Sequence, residues 1–70
     1  MIYILAGKPE QADEFINRHG LSRKQAMFVR SKDSFRGVTL LPGDVVRIGN
    51  YHRRRDIGDI ENEIAMATHG

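Results

Sequence analysis

The sequence predicts a small α/β domain: a three-stranded parallel sheet in the order 2-1-3, flanked by two helices. Three observations carry this reading. Met1-Ile2-Tyr3-Ile4-Leu5-Ala6-Gly7 is a nearly continuous apolar run, β-branched and aromatic, uncharged and closed by glycine. Such a run reads as a strand buried on both faces, which places it at the centre of a parallel sheet. Two stripes of helical period follow, around Phe15 and around Ile60. Two further short apolar runs lie between them, at Ala26 to Val29 and Val45 to Ile48.

In chain order, residues 2–6 form the first strand. Proline suits the first position of a helix, where its missing N–H would have no partner, so Lys8-Pro9-Glu10 reads as a helix start. Ala12, Phe15, Ile16 and His19 then recur at i, i+3, i+4 and i+7, predicting a helix over about 9–19. Gly20 ends it, with Leu21 folding back on the last turn as in a Schellman cap. Residues 26–30 form the second strand, parallel to the first because a helix separates them, by a right-handed crossover. Asp33 to Gly37 reads as one helical turn with Phe35 pointing inward. Pro42-Gly43-Asp44 is a turn, and residues 45–49 form the third strand. Asn50 to Arg55 is a basic loop. Asp56 caps a final helix over 57–68, with Asp59 three residues on in a box-like arrangement and Ile57, Ile60, Ile64 and Ala67 as its apolar stripe. Ile4, Phe15, Ile16, Phe28, Val46, Ile48, Ile60 and Ile64 are expected to be buried together.

Size and charge bound the rest. The 70 residues make one small domain, 1–70, without repeat or linker. With no cysteine, neither a disulfide framework nor a thiolate metal site is available, which suits a reducing cytoplasm. No apolar run approaches the roughly 18 residues of a membrane span, and the opening run lacks the basic start of a signal peptide. Charge is uneven. Residues 1–55 hold all eleven Lys and Arg against five acids, net +6, and residues 56–70 hold four acids and no Lys or Arg, net −4. That asymmetry reads either as a basic face that attracts polyanions or as an acidic tail that neutralises the basic body.

Several stretches together resemble a family. "IYILAG" before a helix, "FVRSKDSFRG", and "VVRIGNYHRRRDIGDIENEI" are similar to small α/β proteins of actinobacteriophages, mycobacteriophages among them. The matching positions are Arg36-Gly37, Val45-Val46-Arg47, Gly49, Tyr51 and Arg55-Asp56. The resemblance covers nearly the whole chain through short motifs. It implies a small Rossmann-like fold, a phage origin, no assigned enzymatic activity, and action on host machinery in the host cytoplasm. A weaker likeness joins "LSRKQA" and "PGDVVRI" to the S4 RNA-binding module. The chain departs from S4 by lacking its Val-Asn-Gly hairpin and by opening on a strand instead of a helix.

No catalytic motif stands out. Gly7-Lys8 follows a strand, but Pro9 stands where a phosphate loop needs its hydroxyl, and there is no upstream glycine. No GxG and no GxSxG occurs. His19, His52 and His69 lack metal-ligand spacing. The candidate site is instead the carboxyl edge of the sheet, where open parallel sheets bind ligands. Lys8, Lys32, Arg53, Arg54 and Arg55 would form a basic rim there, with Asn50, Tyr51 and His52 beside it and Tyr51 as a stacking surface. In the competing reading these arginines simply pair with Asp56, Asp59 and Glu63. The sequence therefore predicts a non-enzymatic accessory protein without cofactor or metal that binds a host protein. The alternative is nucleic-acid or nucleotide-phosphate binding through the rim. Two open sheet edges predict weak homodimerisation. Arg53, Arg54 and Arg55 are all expected to serve partner contact more than folding.

Overall fold

The computed structural model describes residues 1–69, the side chain of His69 excepted. The chain runs through β1 (Ile2–Leu5), α1 (Pro9–Arg18), β2 (Ala26–Phe28), a 3₁₀ turn (Lys32–Phe35), β3 (Val45–Arg47), a second 3₁₀ turn (Tyr51–Arg53) and α2 (Ile57–His69). The sheet is parallel throughout, in the order β2-β1-β3. Ile2, Tyr3 and Ile4 pair with Ala26, Met27 and Phe28 on one side, and Tyr3, Ile4 and Leu5 pair with Val45, Val46 and Arg47 on the other. The apolar opening strand is therefore central, as its composition requires. The strands are shorter than the apolar runs that announce them, because the ladder stops where β1 ends.

Period-two alternation sends the sheet's side chains to opposite faces, and each face has its own core. On one, Ile4, Ala6, Ala12 and Ala26 are buried, with Phe15, Ile16, Phe28 and Ile48 packed around them beneath α1. On the other, Tyr3, Leu5, Val29, Phe35, Leu40, Ile60 and Ile64 form the larger cluster beneath α2 and the first 3₁₀ turn. The expectation of one shared core is thus corrected. Ile4 and Ile60 are both fully buried but on opposite sides of the sheet, and Phe15, Ile16, Phe28, Val46 and Ile48 are only half-buried. The small residues Ala12 and Ala26 let α1 lie close to the sheet, which leaves its aromatic ring at the margin. Phe35 does point inward, its ring centroid 5.1 Å from that of Tyr3.

Local signals explain the element ends. Gly20, at φ +64°, lets the chain leave α1 in a left-handed turn, where its N–H donates to the Asn17 carbonyl and the Leu21 N–H donates to Ile16. That is the expected Schellman pair of bonds. The Gln11 side chain accepts from the N–H groups of Gly7 and Lys8, satisfying two donors at the start of α1. Residues 38–41 form a loop. Leu40 is buried there, and its N–H donates to the Ala67 carbonyl near the end of α2. At the start of α2 the Asp56 carboxylate faces Arg54, which replaces the expected box-like pairing with Asp59 as its described contact.

The two-sided core predicts an asymmetric response to truncation. Ile60→Ala, at a fully buried position, is expected to cost about 2–5 kcal/mol and to leave the domain largely unfolded. Phe15→Ala, at a half-buried one, should cost less. Urea denaturation of the two variants checks this, and a larger loss for Phe15→Ala would make the α1 face the principal core.

Candidate functional site

The site is the carboxyl edge of the sheet, where β1, β2 and β3 end. Two glycines let the chain close over it. Gly49, at φ +61°, turns the chain out of β3, and a Cβ there would collide with the Gln11 side chain. A Cβ on Gly7 would sit 3.1 Å from the backbone carbonyl of Asn50. The order 2-1-3 puts a topological switch point between β1 and β3, where ligands enter open α/β sheets. In this chain the carboxamide of Gln11 and the backbone of Asn50 crowd that position, and a cavity of about 300 Å³ opens beside it, lined by Gln11, Phe15, Arg18, His19, Ile48 and Gly49 among others.

Arg54 closes the other half of the edge. One of its terminal nitrogens, Nη1, donates to the carbonyls of Ala6 at 3.1 Å and Val29 at 2.6 Å, and Nη2 donates to the carbonyl of Arg30 at 2.7 Å. The same guanidinium forks onto Asp56, Nε to Oδ1 and Nη2 to Oδ2, both at 3.1 Å. Its central carbon lies 5.4 Å from the centroid of the Phe28 ring. The side chain is only 11% exposed, against 39% for Asp56. The strand-end carbonyls lie past the last ladder bonds, so they need donors from elsewhere. A planar cation with five N–H groups supplies them to two neighbouring strands at once.

The sequence-predicted site residues therefore separate. Lys8, Lys32, Arg53 and Arg55 are exposed, and the backbone brings them to this one edge: Lys8 just past β1, Lys32 just past β2, Arg53 and Arg55 on either side of the clamped Arg54. His52 is exposed and stands edge-on to Tyr51, with centroids 5.7 Å apart. Asn50 is exposed and contributes backbone: its carbonyl accepts from the Arg53 N–H at 2.9 Å. Tyr51 is half-buried and packed against the α2-side core. Arg54 is tied into the fold. Arg30, outside the predicted rim, is exposed where β2 ends and belongs with the cations there.

Of the ion pairs that the competing sequence reading supposed, Arg54 with Asp56 is present, and among the described residues neither Asp59 nor Glu63 is in an ion pair. Besides Arg54–Asp56, Arg47 of β3 grips Glu61 of α2 through Nε at 3.0 Å and Nη2 at 3.2 Å, and Arg18 pairs with Glu14 within α1. Among the described residues no ion pair engages Lys8, Arg30, Lys32, Arg53 or Arg55. No three His, Cys, Asp or Glu side chains among the described residues converge on a common metal-sized site. No helix among them is long and apolar enough to cross a membrane. Compared with known protein families, curated proteins and solved structures, the chain matches none of them.

Sequence reasoning missed Arg54 because three consecutive arginines look alike. The one available signal was Asp56 two residues on, at a spacing that lets a carboxylate hold a guanidinium in place. The division is measurable. Arg54→Ala is expected to lose about 1.5–3 kcal/mol, the range for a hydrogen-bonded charged group. Arg53→Ala and Arg55→Ala should each change stability by about 0–1 kcal/mol. Thermal melts of the three single variants check this, and equal losses would dissolve the distinction.

Proposed function

We propose that this chain is a non-enzymatic accessory protein that works by binding another protein. The observation that carries the reading is the self-occupied carboxyl edge. Where a parallel α/β sheet ordinarily receives a nucleotide or other small molecule, the chain's own Gln11, Asn50 and Arg54 take up much of the strand ends. Exposed there are the cations Lys8, Arg30, Lys32, Arg53 and Arg55, none in an ion pair among the described residues, a charged surface suited to docking. The resemblance to small actinobacteriophage proteins adds the context: a phage-encoded protein acting on a protein of the infected cell, in its cytoplasm.

A second reading has its own support. Exposed cations gathered at one edge also attract nucleic-acid phosphates. The half-buried Tyr51 weakens it for single strands, which bind proteins largely by stacking on aromatic faces. Two measurements separate the readings. Nucleotides, sugar phosphates and free phosphate at millimolar concentration are expected to leave the melting temperature unchanged, since a ligand bound to the folded state alone would raise it. Random-sequence DNA and RNA are expected to bind no more tightly at low salt than a nonspecific cation cluster would. A raised melting temperature with any small phosphate would overturn the argument from the self-occupied edge. Tight, steeply salt-dependent nucleic-acid binding would install the second reading in place of the first.

A further inference from the structure

We infer that the carboxyl edge is the docking surface itself and that its occupant is an acidic surface of a partner protein. The inference rests on the protein-binding reading above and names where and what the chain binds.

The geometry starts from the clamp. The Arg54 guanidinium is fixed on the carbonyls of Ala6, Val29 and Arg30, at the ends of β1 and β2. One side chain's length separates that point from the Arg54 backbone, so Arg53 and Arg55 are held beside the same strand ends. Lys8 lies two residues beyond Ala6 and Lys32 two beyond Arg30, and Arg30 itself is exposed. Five exposed cations thus follow the strand ends or flank Arg54 along the chain, and among the described residues none of the five is in an ion pair. The Asp56 carboxylate, the acid nearest to this loop in sequence, is occupied by Arg54.

Charge complementarity sets the partner's chemistry as acidic, since opposite potentials across an interface steer encounter and reject wrong partners. Two observations favour a protein over a nucleic acid. Glu10 and Asp13 are exposed on the first turns of α1, immediately after Lys8, where a continuous phosphate backbone would meet like charge. An acidic patch on a folded protein is discontinuous and avoids them. Arginine also contributes disproportionately at protein interfaces, and the most central of these cations sit on a pinned loop, which lowers the entropy lost on docking.

The test uses the full chain, immobilised, with a bacterial lysate treated or untreated with nuclease. Three forms are compared: the unchanged chain, Arg53→Glu/Arg55→Glu, and Arg23→Glu/Lys24→Glu. The last carries the same change in net charge at exposed positions just before β2, the opposite end of the sheet. Melting temperatures of all three are taken first; both double variants should melt close to the unchanged chain. The expected result is a protein retained by the unchanged chain and by Arg23→Glu/Lys24→Glu. Arg53→Glu/Arg55→Glu should retain it about tenfold less, the scale of losing a few exposed charge contacts. Retention should survive nuclease and be displaced by poly-L-glutamate. Equal retention by Arg53→Glu/Arg55→Glu, or equal loss in both double variants, would overturn the rim while leaving protein binding in place. Loss of retention after nuclease would overturn the acidic-protein occupant in favour of nucleic acid. Retention of no protein by the unchanged chain would overturn the protein-binding reading and the rim together.

Discussion

The structure depends on one side chain reaching across 48 residues of sequence to the end of the central strand. A parallel sheet of three- and four-residue strands has few ladder bonds, and the carbonyls just past its end have no strand to receive them. Water can solvate such groups, but it cannot hold two strands and a loop together. Arg54 does so by donating to carbonyls of both neighbouring strand ends while Asp56 fixes its plane. Breaking such a partly buried, charged network by removing one member is more damaging than losing an exposed pair, because the partners are left in a partly desolvated place. The path of residues 50–56 follows from this contact, and so does the position of the arginines on either side of it.

That constraint also organises the second half of the molecule. With the loop drawn onto β1 and β2, α2 begins directly after it and lies along the face bearing Tyr3, Leu5 and Val29. Arg47 and Glu61 then tie β3 to the same helix with two hydrogen bonds. That pair is 37% and 41% exposed, so solvent screening leaves it a modest contribution of about 0–1 kcal/mol. Burial of Leu5, Val29, Phe35, Leu40 and Ile60 supplies the larger share on that side, at about 1.5–3 kcal/mol for each fully buried large side chain. The α1 side is thinner, built on alanines with its aromatic ring half-covered.

Much of the backbone was legible in the sequence, for physical reasons that can be named. The uncharged run Ile2 to Ala6 admits no solvent-facing strand, so its central position followed from burial alone. Gly20 and Leu21 encoded the end of α1 because a left-handed residue and a following apolar one are what that cap requires. The partition of the core was harder. Ile4 and Ile60 both read as buried, but which face of the sheet α2 covers decides that they lie on opposite sides, and that is a tertiary property. Leu40 was invisible as a core residue because it lies in a loop with no period to reveal it. At the site, the cations were legible as a group and their roles were not. Arg53, Arg54 and Arg55 are chemically identical in sequence, and what distinguishes the middle one is a set of backbone acceptors from residues 6, 29 and 30. Gln11 went unread although its bonds are local, its side chain accepting from Gly7 and Lys8 just before it at the start of α1.

The most direct test of this account is the exchange behaviour of the arginine side chains, observed by NMR in the unchanged chain. If Arg54 clamps the strand ends, its guanidinium N–H protons will be slowed in exchange with water relative to those of Arg53 and Arg55. They should also show contacts to the backbone around Ala6 and Val29. Exchange at the same rapid rate for all three arginines, without such contacts, would show an unclamped loop and contradict the account at its centre.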